Sequence, residues 1–388
     1  MGSGQSPAGV QIRPATLEDL TDDLLWPSLL RVPKLALRPD RWGLGFAAFL
    51  AGWLIVHLPD LWTGGGAGAE RFSAAVGRLI GGGVSGVGEG VGDGSLSQAS
   101  RALAGLFTEA PSALFGLFPV STVVSAVLLL GVLPVFGGAI SRACAVEFSR
   151  GQLRPWVESM AFALASARAL VMAPVGLLLT ILAIGLGLAA GSWALLSLPV
   201  LNIVGAVLFG LALLVGVVLV LMLLGLGLGH PLMPAAVACD EADAIDSVQR
   251  SLAYCLGRPL RAVLYWLILL VQAAVVLALA YAAVAATLAV TGLAAGYFGG
   301  AGLKQIIAGE GAGLGWSDRT AAWIVGAWES LVVLLWGGLA VSLHYCGATV
   351  LYLLLRRLVD SQAVTDIWMP SASGLPDVSV PAGRADEA

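Results

Sequence analysis

The sequence predicts an all-α protein: a polytopic transmembrane helical bundle of about six spans, with cytoplasmic amphipathic helices between them. Three observations carry this. From Ala169 to Gly229 there is no Asp, Glu, Lys, Arg or His, a run long enough for two helices of about 20 residues and the turn between them. The whole chain is 58% hydrophobic and only 11% charged, with a mean hydropathy of +0.91, where a soluble domain carries roughly 25% charged residues. The apolar runs are also continuous, which argues against a transmembrane barrel, whose strands alternate polar and apolar over about ten residues.

Residues 1–41 are polar and Pro-containing and read as a cytoplasmic N-terminal segment. The first apolar run starts only at Trp42, so the first helix is expected to stay as an anchor rather than act as a cleaved signal. A membrane domain over 42–358 then holds six spans. They are Trp42–Leu58, Phe118–Ile140, Ala169–Gly191, Pro199–Gly229, Leu260–Val290 and Ala321–Leu343, the last continuing as helix to Leu358. The outer connection over 59–117 contains GGGAGAERFSAAVGRLIGGGVSGVGEGVGDGS at 64–95. Glycine at that density predicts an irregular loop, with RFSAAVGRLI and LSQASRALAGLF as short amphipathic helices. The polar tail over 359–388, Pro-punctuated from Pro370, is expected to be largely disordered.

Lys and Arg accumulate on cytoplasmic sides, and here they do so at every alternation. Arg13, Arg31, Lys34, Arg38 and Arg41 precede span one, and Arg142, Arg150, Arg154 and Arg168 follow span two. Arg250, Arg258 and Arg261 follow span four, and Arg356, Arg357 and Arg384 follow span six. The opposite side has only Arg71, Arg78, Arg101, Lys304 and Arg319. Both termini are therefore predicted in the cytoplasm of a bacterial inner membrane. The four cysteines, Cys144, Cys239, Cys255 and Cys346, fall on that side or just inside it without a CxxC, and read as free thiols.

Two cytoplasmic connections look alike. Pro155 precedes WVESMAFALASAR and a span; Asp240 precedes EADAIDSVQRSLAYCLG and a span. Glu158-Ser159 and Asp246-Ser247 fall at similar distances before their spans, as duplication of a span–helix–span unit would produce. The second segment is the better-formed amphipathic helix. Asp240 is its expected N-cap, and Ile245, Val248, Leu252 and Cys255 make one stripe. Glu241 and Asp243 favour the positive end of the helix dipole. Asp246 and Arg250 are spaced to pair, and Gly257 with Arg258-Pro259 ends the helix. The first reading is a surface helix anchored at the interface by its stripe; the second is an acidic gate, ion site or docking surface.

Other candidates are few. His230 stands with Pro231 and Pro234 where span four ends, and reads as an exit turn or as a cavity-lining break. Glu329 lies within span six beside Trp316, Trp323 and Trp328. It reads as an interfacial carboxylate on an outer helix over 318–328, or as a buried carboxylate that pairs or carries a proton. His57 and His344 are read as interfacial, and Gln272, Asn202 and Thr180 as interhelical hydrogen-bond partners. Glycines within spans, at 137–138, 185–187 and 225–229, predict close helix packing. GVGEGVG at 86–92 has no preceding strand and no following lysine, so it is not a phosphate loop. No hydrolase, metalloprotease or nucleotide motif is present, and no cofactor, metal or nucleic acid is implied.

Three stretches, GGAISRACAVEFSRGQ at 137–152, LMPAAVACDEADAIDSVQRSLAYCLGRPLRAVLYW at 232–266 and LYLLLRRLVDSQAVTDIW at 351–368, resemble a family of uncharacterised multi-pass bacterial membrane proteins. The resemblance implies the topology and no catalytic residue. The expected function is a non-catalytic scaffold or subunit of a membrane assembly, in contact with the bilayer and with a protein partner or further copies of itself. A transporter or channel for a small solute is the alternative, and an intramembrane lipid-acting enzyme the third.

Overall fold

A computed structural model describes residues 25–63, 70–199, 201–298 and 315–369. Of the predicted terminal segments 1–41 and 359–388, residues 1–24 and 370–388 lie outside the described residues, as do 64–69 of the glycine-rich connection. Among the described residues the regular structure is helical and contains no strand.

A 3-10 turn, Trp26–Arg31, leads into α1 (Val32–Ala36). Arg38 is extended, as the residue before a proline prefers, and Pro39 starts α2 (Pro39–His57), followed by α3 (Asp60–Thr63). Next come α4 (Phe72–Gly92) and α5 (Leu96–Leu117). Pro119 opens α6 (Pro119–Arg150), where its missing N–H costs nothing. Gly151 at φ 67° closes that helix in the left-handed conformation. Helices α7 (Trp156–Ala165), α8 (Ala167–Ser197) and α9 (Leu201–Gly229) follow. A 3-10 turn, His230–Leu232, absorbs Pro231 before α10 (Met233–Asp240). The chain continues as α11 (Ala244–Gly257), α12 (Pro259–Phe298) and α13 (Trp316–Asp360).

Among the described residues six stretches are long and apolar enough to cross a membrane: Pro39–Thr63, Pro119–Arg150, Ala167–Ser197, Leu201–Asp240, Pro259–Ala295 and Trp316–Asp360. These correspond to the six predicted spans. The last differs in form. No separate outer helix covers 318–328, because α13 runs unbroken for 45 residues. At 1.5 Å per residue it is about 67 Å long, roughly twice the 30 Å hydrocarbon core, so it projects beyond the membrane.

The glycine-rich connection is also more ordered than glycine content suggests. Helix α4 runs straight through GGGVSGVGEGVG and pairs with α5. Gly83, Gly86 and Gly90 are the faces in contact, against Leu106, Ala102 and Ala99. A Cβ at Gly90 would overlap the Ala99 backbone. Each glycine costs a helix about 1 kcal/mol relative to alanine, and the close approach of the two backbones offsets it.

The packed core sits at the arginine-rich end of the bundle. It takes in Gly137–Val146 of α6, Met233–Cys239 of α10 and most of Gly337–Arg356 of α13. Leu29 and Val32 and the α12 residues Ala262, Tyr265 and Leu269 close it from the side. Small residues let the helices meet: a Cβ on Gly45 would overlap the Gly338 carbonyl, and one on Gly138 would overlap Leu170.

Candidate functional site

The chain reverses between α10 and α11, and the reversal places the acidic cluster. Glu241 caps α10 at φ 52°, a left-handed conformation that non-glycine residues seldom take. Asp240 before it and Ala242 after it are turned inward, and Asp243 is exposed. Asp240 is therefore not the N-cap of α11. Asp243 is, its carboxylate accepting from the Asp246 amide at 2.8 Å.

Asp240, 10% exposed, is instead the hub of an ion-pair cluster. Its Oδ1 accepts from Nη1 of Arg356, which is 1% exposed. Its Oδ2 accepts from Arg250 Nη1 at 3.1 Å and from the Tyr352 hydroxyl at 2.5 Å. Arg250 also donates from Nε to Asp246 at 2.9 Å. That bond to Asp246 is the chief cause raising the arginine's pKa above its ordinary value. Beside it, the Tyr254 hydroxyl donates to Asp360 at 2.5 Å. Burial first, and this bond second, push the Tyr254 pKa up.

The segment after α13 is pinned over this cluster. Arg356 donates to the carbonyls of Ala363, at 3.2 Å, and Asp366. The Trp368 amide donates to the Cys239 carbonyl at 2.7 Å. Arg142, 3% exposed, donates to the carbonyls of Ala238 at 2.8 Å and Trp368 at 2.9 Å. Its guanidinium lies 4.8 Å from the Phe162 ring centroid and 5.3 Å from that of Trp368, within cation–π range. A second pair holds the start of α2: Glu147 bridges Arg41, which is 3% exposed, and Arg38, at 3.0 Å from the latter. Arg41 also donates to the carbonyls of Leu35 and Ala143. The cluster and this pair hold α1, α2, α6, α10, α11, α13 and the C-terminal segment together. Each buried carboxylate accepts from cations on both oxygens, which suits a structural tie better than proton exchange.

The structure thus unites Asp240, Asp246 and Arg250, with Asp243 bonded to the Asp246 amide, and leaves the other predicted residues apart. Glu241 is exposed, and so is Arg258, which enters no ion pair among the described residues. His230 is half-buried in the turn after α9. Glu329 is half-buried and has no ion-pair partner among the described residues. The α11 stripe also differs from expectation. Val248 and Leu252 pack on Ala173, Leu177, Ile181 and Met233, whereas Ile245 is exposed. A second face, with Ser247, Ser251 and Tyr254, is buried too, and the Ser247 hydroxyl donates to the Met233 carbonyl at 3.0 Å. The helix is wedged into protein on two sides, and Ser247 and Tyr254 supply polar partners there.

Of the predicted interhelical hydrogen-bond residues, Thr180 bonds back to Gly176 in its own helix, and Gln272 Oε1 is buried without a partner among the described residues. His344 is not at a helix end: it lies within α13 and stacks on Trp266. Sequence reasoning missed Arg41, Glu147, Arg142, Tyr352 and Arg356 as members of the network. The available signal was the arginines beside apolar runs, which positive-inside counting uses only for orientation. The four cysteines are all buried, and burial pushes the Cys255 thiol up to about 12.

Comparison with known protein families, with characterised proteins and with solved structures finds no match for this chain.

Proposed function

We propose that this is a multi-pass protein of the bacterial inner membrane with both termini cytoplasmic. In this reading it is a non-catalytic scaffold or subunit of a membrane assembly, and it belongs with the uncharacterised family its three stretches resemble. One observation carries the assembly reading. Gly185, Gly187 and Gly191 of α8 and Gly210 and Gly216 of α9 have nothing within 4 Å of where a Cβ would stand. Glycines weaken these helices by about 1 kcal/mol each, and packing within the chain does not offset it. Gly187 and Gly191 line a groove of about 360 Å³, and Gly216 lines an adjacent one of about 540 Å³. Small residues on a membrane-facing surface admit the backbone of a neighbouring helix. The most apolar 18-residue window of the Leu201–Asp240 span has 0% of its residues buried, against 33% for Pro119–Arg150.

The rival reading, a solute pathway through the acidic cluster, has less support. Asp240 and Glu147 are held between arginines, and neither Asp246 nor Glu329 lines these grooves. Native mass spectrometry after extraction in mild detergent tests the proposal. A fixed stoichiometry with a partner or with further copies is expected, lost in Gly187→Ile/Gly191→Ile and Gly216→Ile at unchanged melting temperature. A monomer under every extraction condition, or gradient-driven solute uptake into proteoliposomes, would overturn it.

A further inference from the structure

Opposite charges line one cavity at the arginine-rich end of the bundle without meeting one another. The cavity, about 550 Å³, lies between the start of α8 and the α10–α11 reversal. Arg168 and Ser166 line it from α8, and Glu241 and Asp243 from the reversal. The three charged residues are exposed, so their ends are open to a ligand. None of them has an ion-pair partner among the described residues. One Asp243 oxygen accepts from the Asp246 amide, which leaves the other open. The Ser166 hydroxyl, at the N-cap of α8, makes no cap hydrogen bond. The rest of the wall is apolar and includes Met172 and Ile245, both exposed. A stretch able to span the membrane begins at Ala167. Arg168 therefore stands at the membrane edge, and Met172 about 6 Å further in at 1.5 Å per residue.

We infer that this cavity holds the headgroup of a zwitterionic phospholipid with a primary ammonium, a phosphatidylethanolamine. The Arg168 guanidinium matches two phosphate oxygens with parallel N–H donors, and the dipole at the start of α8 favours the same anion. A primary ammonium has three N–H donors, and Glu241 and the open oxygen of Asp243 accept from it. An anionic head without a cation would face two carboxylates with one arginine to compensate. A choline head has no N–H to give, and no aromatic ring, the usual partner of a quaternary ammonium, lines the cavity. The volume is that of about eighteen liquid waters at about 30 Å³ each, room for the head and the glycerol beneath it. A sphere of that volume is about 10 Å across, a width that a phosphate and an ammonium joined by two carbons bridge with a hydrogen bond of about 2.8 Å at each end. The acyl chains leave past Met172 and Ile245 into the hydrocarbon, which favours a lipid over the lysine of a protein partner.

The test is native mass spectrometry of the full-length protein in detergent, titrated with dioleoyl phosphatidylethanolamine, phosphatidylcholine or phosphatidylglycerol. The first should bind about tenfold more tightly than either of the others, the scale of one hydrogen bond between charged groups. Glu241→Gln with Asp243→Asn, in which the asparagine still caps α11, should abolish that preference. Arg168→Gln should weaken all three lipids about tenfold. Glycerophosphoethanolamine, the same head without acyl chains, should not displace the lipid. Equal affinity for the ethanolamine and choline lipids, a preference unchanged in the folded double variant, or displacement by the water-borne head at equal concentration would each overturn the inference. So would a copurified protein, rather than lipid, lost in the double variant. If the variants misfold, the ethanolamine-against-choline comparison on the wild type decides it.

Discussion

Replacing Asp240 by Asn tests whether the ion-pair cluster holds the bundle together. The substitution keeps the side-chain shape and removes the charge that compensates Arg356, which is 1% exposed. Breaking a buried pair by removing one partner costs about 3–5 kcal/mol, because the other charge is left uncompensated. Unfolding entropy of about 2.1 cal/mol/K per residue over 388 residues makes each degree worth about 0.8 kcal/mol. The expected loss is therefore about 4–6 °C. Asp246→Asn is the control. That pair with Arg250 is 41% and 35% exposed, and an exposed pair contributes about 0–1 kcal/mol, so its loss should stay near 1 °C. Both are read in detergent with a thiol-reactive fluorophore, since Cys144, Cys239, Cys255 and Cys346 are all buried and react as the chain opens. Asp240→Leu with Arg356→Met removes the stranded charge and should recover part of the loss. Equal shifts for Asp240→Asn and Asp246→Asn, or a shift under about 1 °C for the former, would refute the reasoning.

Three further outcomes follow from the geometry. Cys255, its thiol pushed up to about 12 from 9.0, stays neutral in the fold while an unfolded thiol ionises. Its contribution to stability is thus constant below about pH 9 and falls between pH 9 and 12; Cys255→Ala should flatten that part of a melting-temperature–pH profile. Glu329 stands about 40 Å from Arg356 along α13 at 1.5 Å per residue, more than the roughly 30 Å hydrocarbon thickness. Glu329→Gln should therefore shift the melting temperature by less than about 1 °C, and a gain of several degrees would place the unpaired carboxylate in the hydrocarbon. Gly90→Ala should loosen the α4–α5 pair, since the added Cβ meets the Ala99 backbone. Gly88→Ala, with open space around it, should tighten α4 by up to about 1 kcal/mol. Hydrogen exchange over 72–117 should rise in the first variant and fall in the second.

The six spans were legible because crossing a membrane is a demand on length and apolarity, and both are written locally. The end of α6 was less so: the second span was read to Ile140, and the helix runs on to Arg150. The extent of order in α4 was not. Its glycines at 83, 86 and 90 are weak helix formers alone and become contact surfaces only when α5 lies against them. Asp240 shows the same limit. By spacing it is an N-cap, and the left-handed Glu241 next to it makes it a buried acceptor for Arg356, more than a hundred residues away.

The sequence by itself therefore determined the class, the number of spans and the end of the bundle where the arginines gather, since each depends on composition summed over a helix. The tertiary structure decided which charges are stabilised by one another and which glycines are packed or open. Those are relations between helices distant in the chain, and a helical period fixes which face a residue occupies but not what that face meets.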